Sequence, residues 1–199
     1  MPAFFLLFQK SEVCVLCGKT LSRFGNKKLK DGILCRNCVK LASPWLNDDD
    51  YLARDAEGMK KHLQYREDNK EVLKNFNEER KVEGKYTLYL DEDSRQFVIS
   101  KRKDFRKDNA DVLSYDEIDE LSIFEEKYMD EEGMVNLLMD IKLHNPEIDN
   151  ICFRVSDFPG MERDSSEYKE TLDLAFKYLN AFDGEKGIDF EQTEGEKHE

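Results

Sequence analysis

The sequence predicts an α+β protein built from two different modules. Four of the five cysteines stand close together near the start, the net charge changes sign along the chain, and the spacing of apolar residues changes from helical to alternating near its middle. We therefore predict a small cysteine module over residues 1–46, a helical linker over 47–83, a β-domain with a C-terminal helix over 84–183, and a disordered tail over 184–199.

The composition is typical of a globular protein. Of the 199 residues, 38% are charged and 11% are aromatic, which is compatible with a packed core. No apolar run approaches the roughly 18 residues that a membrane helix needs, so we predict no integral membrane association. The apolar run Phe4–Phe8 is too short for a signal peptide and has no basic residue before it. We expect it to pack on the first module, or else to anchor a partner or a membrane surface, and we expect a cytoplasmic protein with reduced thiols.

The net charge of −13 is unevenly distributed. Residues 1–45 carry eight Lys and Arg against Glu12 and Asp31, a net charge of +6, which leaves −19 for the remainder. A basic segment followed by an acidic one indicates two units with different surroundings. The basic part could bind nucleic acid or an acidic partner, or it could offset the charge of a metal site.

The cysteines follow a C-x2-C pattern that is repeated after 17 residues, with Cys14 and Cys17 in the first pair and Cys35 and Cys38 in the second. Two such pairs provide the four thiolates of a tetrahedral Zn²⁺ site, with Zn–S near ~2.3 Å. Gly18 suits the tight turn that follows the first pair, because that turn favours a left-handed residue. Four cysteine ligands leave no position for a reactive water, so we predict a structural site.

Two other uses of the cysteine pairs remain open. A rubredoxin-like iron centre has the same ligands, but Val39 stands where such a centre prefers a second glycine. A redox-active dithiol is less favoured still, because neither pair has a βαβ context. The basic residues Lys19, Arg36 and Lys40 lie beside the ligands and would offset the formal charge of −2 on a Zn²⁺ ion with four thiolates.

The sequence between and after the cysteine pairs predicts the plan of the first module. The dipeptides Gly25–Asn26 and Asp31–Gly32 favour turns and hence a hairpin, and the segment after Cys38 is short and ends at Pro44, which predicts a short helix. A knuckle, a hairpin and a helix that carries the second pair form a treble-clef or zinc-ribbon-like module. So small a module should unfold without its metal.

The rest of the chain predicts helices, then strands, then one helix. Residues 51–81 have helical spacing with a polar interruption at Arg66–Asn69. From Gly84 the chain alternates in several strands, beginning with a hairpin around Asp91, Glu92 and Asp93. A final helix near 165–182 carries one apolar stripe, formed by Tyr168, Leu172, Ala175, Leu179 and Phe182. Antiparallel strands closed by one C-terminal helix have the element order of the pleckstrin-homology-like (PH-like) superfold.

Three stretches carry a resemblance to a known family. They are CVLCGK with NKKLKDGILCRNCVK, then YREDNKEVLKNF, then LYLDEDSRQFVI with VLSYDEIDEL. They resemble a bacterial family of unknown function (domain of unknown function 4428), whose members join an N-terminal four-cysteine zinc- or iron-binding domain to a PH-like domain. The resemblance implies that Cys14, Cys17, Cys35 and Cys38 are the metal ligands. It implies no activity, and the apolar segment PAFFLLFQK departs from the family pattern.

Nothing in the sequence predicts an enzyme or a small-molecule substrate. No phosphate-binding loop, dinucleotide fingerprint, nucleophile elbow or kinase signature is present. We predict His62, His144 and His198 to be surface residues and Cys152 to be a buried core thiol.

Two binding functions remain. The first is a protein partner bound by the PH-like domain; its first hairpin loop, with Asp91, Glu92 and Asp93, would repel a phosphate. The alternative is nucleic-acid binding by the basic module through a set of five cations, with Phe24 as the only interleaved aromatic residue. These cations are Arg23, Lys27, Lys28, Lys30 and Arg36.

Overall fold

The computed structural model describes residues 13–102, 104–107, 110–128 and 133–182. The chain divides into two compact units, the first ending at Glu67 and the second beginning at Asp68. The apolar run Phe4–Phe8 and the predicted tail 184–199 lie outside the described residues. Among the helices of the described part, none combines the length and the apolar character that crossing a bilayer requires.

The first unit begins with a knuckle and a short hairpin. Strand β1 (Lys27–Lys28) pairs antiparallel with β2 (Ile33–Leu34). The predicted Asp31–Gly32 turn joins them, and the Leu29 N–H donates to the Gly32 carbonyl at 2.8 Å. Helix α1 (Arg36–Val39) begins directly after Cys35. The predicted order of short strands and a short helix is therefore confirmed.

Two further helices follow, α2 (Asp48–Ala53) and α3 (Ala56–Asn75). Asn47 caps α2, since its side chain accepts the N–H groups of Asp49 and Asp50. The helices separate at Asp55, whose carboxylate accepts the Gly58 N–H at 2.7 Å. The interruption predicted at Arg66–Asn69 was wrong, because those residues lie inside α3.

The core of the first unit is built around the cysteines. Tyr51 of α2 and Met59 of α3 are buried in one cluster with Cys14, Cys35 and Cys38. Leu29, Leu34 and Ala42 complete the buried part of this cluster. The thiols therefore form part of the hydrophobic core rather than an appendage to it.

His62 lies in the first unit and is fully buried, so its prediction as a surface residue was wrong. Its Nε2 accepts the Ser43 N–H at 3.0 Å. Burial and the nearby charges of Arg54 and Arg66 lower the pKa of His62 to about 4. The imidazole is thus held neutral as a hydrogen-bond acceptor.

The predicted linker 47–83 is distributed over both units. Helix α2 and Met59 belong to the first core, whereas Leu73 and Phe76, late in α3 and just after it, lie in a cluster of the second unit. In the second unit, the Asn69 side chain exchanges two hydrogen bonds of 2.9 Å with the backbone of Val112. This pairing explains how a polar residue occupies a buried position of the helix.

The second unit contains two antiparallel sheets. The first is a four-stranded meander in chain order, formed by β3 (Arg80–Glu83), β4 (Thr87–Asp91), β5 (Gln96–Ser100) and β6 (Val112–Ser114). Its core-facing residues include Leu88, Leu90 and Phe97, which are all fully buried.

The second sheet is centred on a long strand, β8 (Met134–Leu143). Strand β7 (Ile118–Lys127) pairs with one edge of β8, and β9 (Asn150–Arg154) and β10 (Met161–Glu162) share the other. The alternation along β9 buries Ile151 and Phe153 and leaves Cys152 exposed. The prediction of Cys152 as a core thiol was therefore wrong.

The C-terminal helix α4 (Ser166–Ala181) packs on strands of both sheets. The Ser165 side chain caps it by accepting the Tyr168 N–H at 3.1 Å. Its buried stripe includes Ala175, Tyr178 and Leu179. The expected α+β architecture, with sheets covered by a C-terminal amphipathic helix, is confirmed.

The first hairpin of the second unit lies earlier in the chain than predicted, because β3 precedes β4. Because Arg80–Glu83 pairs with Thr87–Leu90, the first hairpin loop is Gly84–Tyr86, and the acidic loop belongs to the second hairpin. Asp91 is 4% exposed, and its carboxylate accepts the N–H groups of Asn77 and Ser94. These bonds outweigh its burial and lower the pKa of Asp91. Asp91 is therefore a structural residue, and the argument that this loop repels a ligand from the first hairpin does not hold.

The state of His62 predicts how stability depends on pH. Its pKa in the folded chain lies below the ordinary value, so the unfolded chain binds the proton more tightly and stability falls as the pH falls from ~6.5 to ~4. The expected loss is about 3 kcal/mol. In His62→Gln, which can still accept the Ser43 N–H, this component should vanish.

The measurement is urea unfolding of the first unit followed by the fluorescence of Trp45, the single tryptophan of the chain. Acid effects on the cysteines act on both proteins, so the difference between parent and variant isolates His62. Equal pH slopes in the two would contradict this assignment.

Candidate metal centre

The four predicted ligands converge at one place. The sulfur atoms of Cys14, Cys17, Cys35 and Cys38 all lie within 4.8 Å of one another. The Sγ–Sγ distance is 3.8 Å for Cys14–Cys38 and 3.6 Å for Cys17–Cys35. Three of the four cysteines are buried and Cys17 is exposed.

The first pair is presented by a tight turn of the backbone. The Cys14 N–H donates to the Lys19 carbonyl at 2.8 Å, and the Gly18 N–H donates to the Cys14 carbonyl at 2.9 Å. Gly18 has a φ of +69°, as the sequence predicts. Both thiols of the pair are thereby turned to the same side.

The second pair is presented by a helix. Cys35 is the N-cap of α1, and Cys38 lies within its single turn, where the Val39 N–H donates to the Cys35 carbonyl at 3.0 Å. The Cys35 N–H also points back to the Cys14 sulfur at 3.3 Å. That bond joins the two pairs through the backbone of one and the side chain of the other.

The sulfur spacing fits a tetrahedral ion. In a tetrahedron with a metal–sulfur distance of about 2.3 Å, the sulfurs stand about 3.8 Å apart. A disulfide would need a separation of about 2.0 Å, and all five cysteines of the chain are free thiols. The four cysteines are thus positioned to bind a metal ion.

The surroundings of the sulfurs affect their ionisation unequally. Burial opposes ionisation of Cys14, but the N–H groups of Cys35, Cys17 and Leu16 outweigh it and lower the pKa of the Cys14 thiol to about 6. Burial and the neighbouring thiols raise the pKa of Cys38. A cation at the centre would favour the thiolate forms of Cys14 and Cys38 together.

The apolar support of the site could not be assigned from the sequence. Tyr51 and Met59 pack against the cysteine cluster from α2 and α3, with Leu63 partly buried beside them. Their helical spacing predicts one buried face but does not say which neighbour covers it.

The five predicted nucleic-acid-binding residues have unequal roles in the structure. The Lys27 ammonium pairs with the Asp48 carboxylate and lies 5.6 Å from the centre of the Tyr51 ring. The Arg23 guanidinium lies 5.2 Å above the ring of Phe24, which is 71% exposed.

An open cleft of about 560 Å³ runs along the hairpin of the first unit. Its lining includes Arg23, Lys27, Lys28 and Lys30 but not Arg36. Arg36 instead packs its side chain against Gly25, where an added Cβ would meet the Arg36 Cγ at 3.1 Å. Four of the five cations therefore share one surface, and one of the four is already paired.

Two other titratable residues named by the sequence, His144 and Cys152, belong to the second unit. His144 is exposed, and its Nδ1 lies 2.8 Å from an Asp119 oxygen at the surface of the second unit. Partial burial of the sulfur and the carboxylates of Asp140 and Glu126 raise the pKa of the Cys152 thiol to about 11. A thiol with so high a pKa is a poor nucleophile.

Removing the metal should unfold the first unit alone. A structural zinc contributes on the order of 10 kcal/mol to folding, which exceeds what so small a core can supply. With a strong chelator, the Trp45 emission should shift to that of the unfolded chain while the β-sheet circular dichroism of the second unit persists.

Matched variants test the same point. Cys38→Ser should reproduce the effect of chelation, and Cys152→Ser, which changes an exposed thiol far along the chain, should have none. A native Trp45 emission after the chelator has removed the metal would show that the first unit stays folded without an ion, which would contradict this prediction.

Comparison with known proteins adds a family for the first unit. The model of a family described as a domain of unknown function (DUF4428) matches residues 12–62. The searches of curated proteins and of solved structures gave no match. The matched residues 12–62 include the whole four-cysteine cluster, so this part of the chain is similar to a domain whose function is unknown.

Proposed function

We propose that the protein is a binding protein without enzymatic activity, in which the four cysteines hold a structural Zn²⁺. The observation that carries the proposal is the closed set of four sulfurs at tetrahedral spacing. With every position taken by a thiolate, the ion has no site for a water or a substrate. The metal would then fix the fold of the first unit and take no part in a reaction.

The two cysteine pairs favour zinc over a rubredoxin-like iron centre. The first pair is followed by a left-handed glycine, whereas Val39 after the second pair lies in helix α1. The first pair therefore lies in a turn and the second in a helix, as in a treble clef. A rubredoxin-like iron centre would prefer a glycine after both pairs, and this chain has one only after the first. One ligand, Cys17, is exposed to solvent. Zinc is compatible with this exposure because it has no redox chemistry.

The second unit supplies the partner surface in this proposal. Its strand order and C-terminal helix support the PH-like assignment, which stays a prediction. Strand β7 is ten residues long and lies at the edge of its sheet in the described part of the chain. An edge strand can accept an extended peptide through backbone hydrogen bonds. Strand β7 carries four carboxylates and one ammonium. Glu120 and Glu125 pair with Lys142 and Arg163, and the remaining negative charge favours a basic segment as the partner.

Nucleic-acid binding by the first unit is the second candidate. It is favoured by the cleft that Arg23, Lys28 and Lys30 line, with Phe24 exposed beside it. It is weakened by the pairing of Lys27 with Asp48 and by the net charge of −13. The two candidates use different units and can be separated by mutation.

The test compares two charge-reversal variants of the full chain. Capture of a partner from an extract of the native host should be lost in Glu120→Lys/Glu126→Lys and retained in Lys28→Glu/Lys30→Glu. In the same preparations, fluorescence anisotropy with labelled single-stranded and duplex DNA should show no salt-dependent binding by the parent.

Opposite results would replace the proposal by its alternative. Salt-sensitive DNA or RNA binding that Lys28→Glu/Lys30→Glu abolishes, together with capture unaffected by the β7 changes, would assign the function to the basic cleft. Turnover of a substrate by the metal-loaded protein would contradict a closed structural site.

A further inference from the structure

The loop between β3 and β4 is held firmly against the second sheet and the C-terminal helix. The Tyr178 hydroxyl donates to the Tyr86 carbonyl, and the rings of Tyr86 and Phe153 lie 5.1 Å apart. A Cβ at Gly84 would collide with the Tyr178 hydroxyl, so only glycine allows this approach. Lys85, between these anchors, is therefore fixed near the end of β9.

Positive charge accumulates at this corner of the second unit. The Lys85 side chain is only 14% exposed. Lys101 follows β5, whose Ser100 pairs with Thr87 near the loop, and Arg154 ends β9 just after Phe153. The contact of Tyr86 with Phe153 and the pairing of Thr87 with Ser100 bring Lys85, Arg154 and Lys101 to this corner. Burial and the charges of Arg154 and Lys101 accordingly lower the pKa of Lys85.

Little negative charge offsets these cations. The Asp157 carboxylate lies 3.9 Å from the Lys85 ammonium, and its side chain is 86% exposed. An ion pair at that distance in contact with water is weak. The corner thus keeps a positive charge in a chain whose net charge is −13.

Two buried polar atoms at the same corner have no hydrogen-bond partner among the described residues. They are Nε of Arg154 and Oγ of Ser156. Ser156 is only 8% exposed and stands two residues after Arg154, in the bend that follows β9, next to Asp157. Buried polar groups are normally satisfied, so these two atoms are available to hydrogen-bond a bound group.

We propose that Lys85, Arg154 and Ser156 form a binding site for a phosphate monoester, with Lys101 adding its charge. A phosphate monoester carries nearly two negative charges and three acceptor oxygens. It can therefore accept from the guanidinium, the ammonium and the hydroxyl together. A carboxylate has one negative charge and two oxygens, so it would leave one of these donors without an acceptor. The site lies in the second unit and is independent of the metal centre.

The first arm of the test uses a soluble phosphate monoester, glucose 6-phosphate, at constant ionic strength. Addition to the full-length protein should shift the backbone amide NMR signals of Lys85 and Ser156 saturably. Loss of one charged hydrogen-bonding partner should weaken binding about tenfold or more. We expect this in Lys85→Gln and in Arg154→Gln.

Two further variants keep the test decisive. Lys177→Gln removes the same charge from an exposed position of α4 and should leave the binding unchanged. Ser156→Ala removes only the unpartnered hydroxyl, so it reports on the site even if Arg154→Gln fails to fold.

The second arm separates a soluble ligand from a lipid headgroup. Vesicles of phosphatidylcholine with and without phosphatidic acid present the same phosphate monoester on a membrane. Binding in either arm that Lys85→Gln weakens supports the site, and the arm that responds identifies the source. No saturable binding in either arm, or equal weakening by Lys177→Gln and Lys85→Gln, would overturn the proposal.

Discussion

Four sulfur atoms placed around one ion-sized space are the constraint on which the first unit depends. The backbone supplies them from a turn at Gly18 and from the first turn of α1, and a bond from the Cys35 N–H to the Cys14 sulfur joins the two sources. Because three of the cysteines are also core residues, the packing of Tyr51 and Met59 presupposes the same arrangement. Metal binding requires the thiolate form of these closely spaced cysteines, so the metal and the core stabilise each other.

Several buried polar groups hold parts of the backbone in place. His62 accepts a backbone N–H in the first core, and the Asn69 side chain makes two hydrogen bonds to the backbone of Val112 in the second unit. Asp91 holds the turn after β4 through two backbone N–H groups. Each group is buried with a partner, which is the condition under which a polar side chain is tolerated inside a protein. Arg154 and Ser156 depart from this pattern, as does the Tyr115 hydroxyl, because their buried polar atoms have no partner among the described residues.

The features that could be predicted from the sequence are those whose signal is local. The cysteine spacing, the Asp31–Gly32 turn and the apolar stripe of α4 each depend on residues a few positions apart. Strand β3 was missed because Arg80–Glu83 is mostly polar and becomes a strand only by pairing with β4. The break between helices was predicted at the polar stretch Arg66–Asn69. It lies instead between α2 and α3, where the Asp55 carboxylate accepts the Gly58 N–H at the start of α3. His62 and Cys152 were misplaced because the side that a residue faces depends on what packs there, which the sequence does not state.

The most direct test of this account is X-ray absorption spectroscopy at the metal edge of the protein purified from its native host. The account predicts zinc, one ion per chain, with a first shell of four sulfur atoms at about 2.3 Å. A first shell that contains nitrogen or oxygen, an iron edge in place of zinc, or no stoichiometric metal would contradict a closed four-cysteine zinc site.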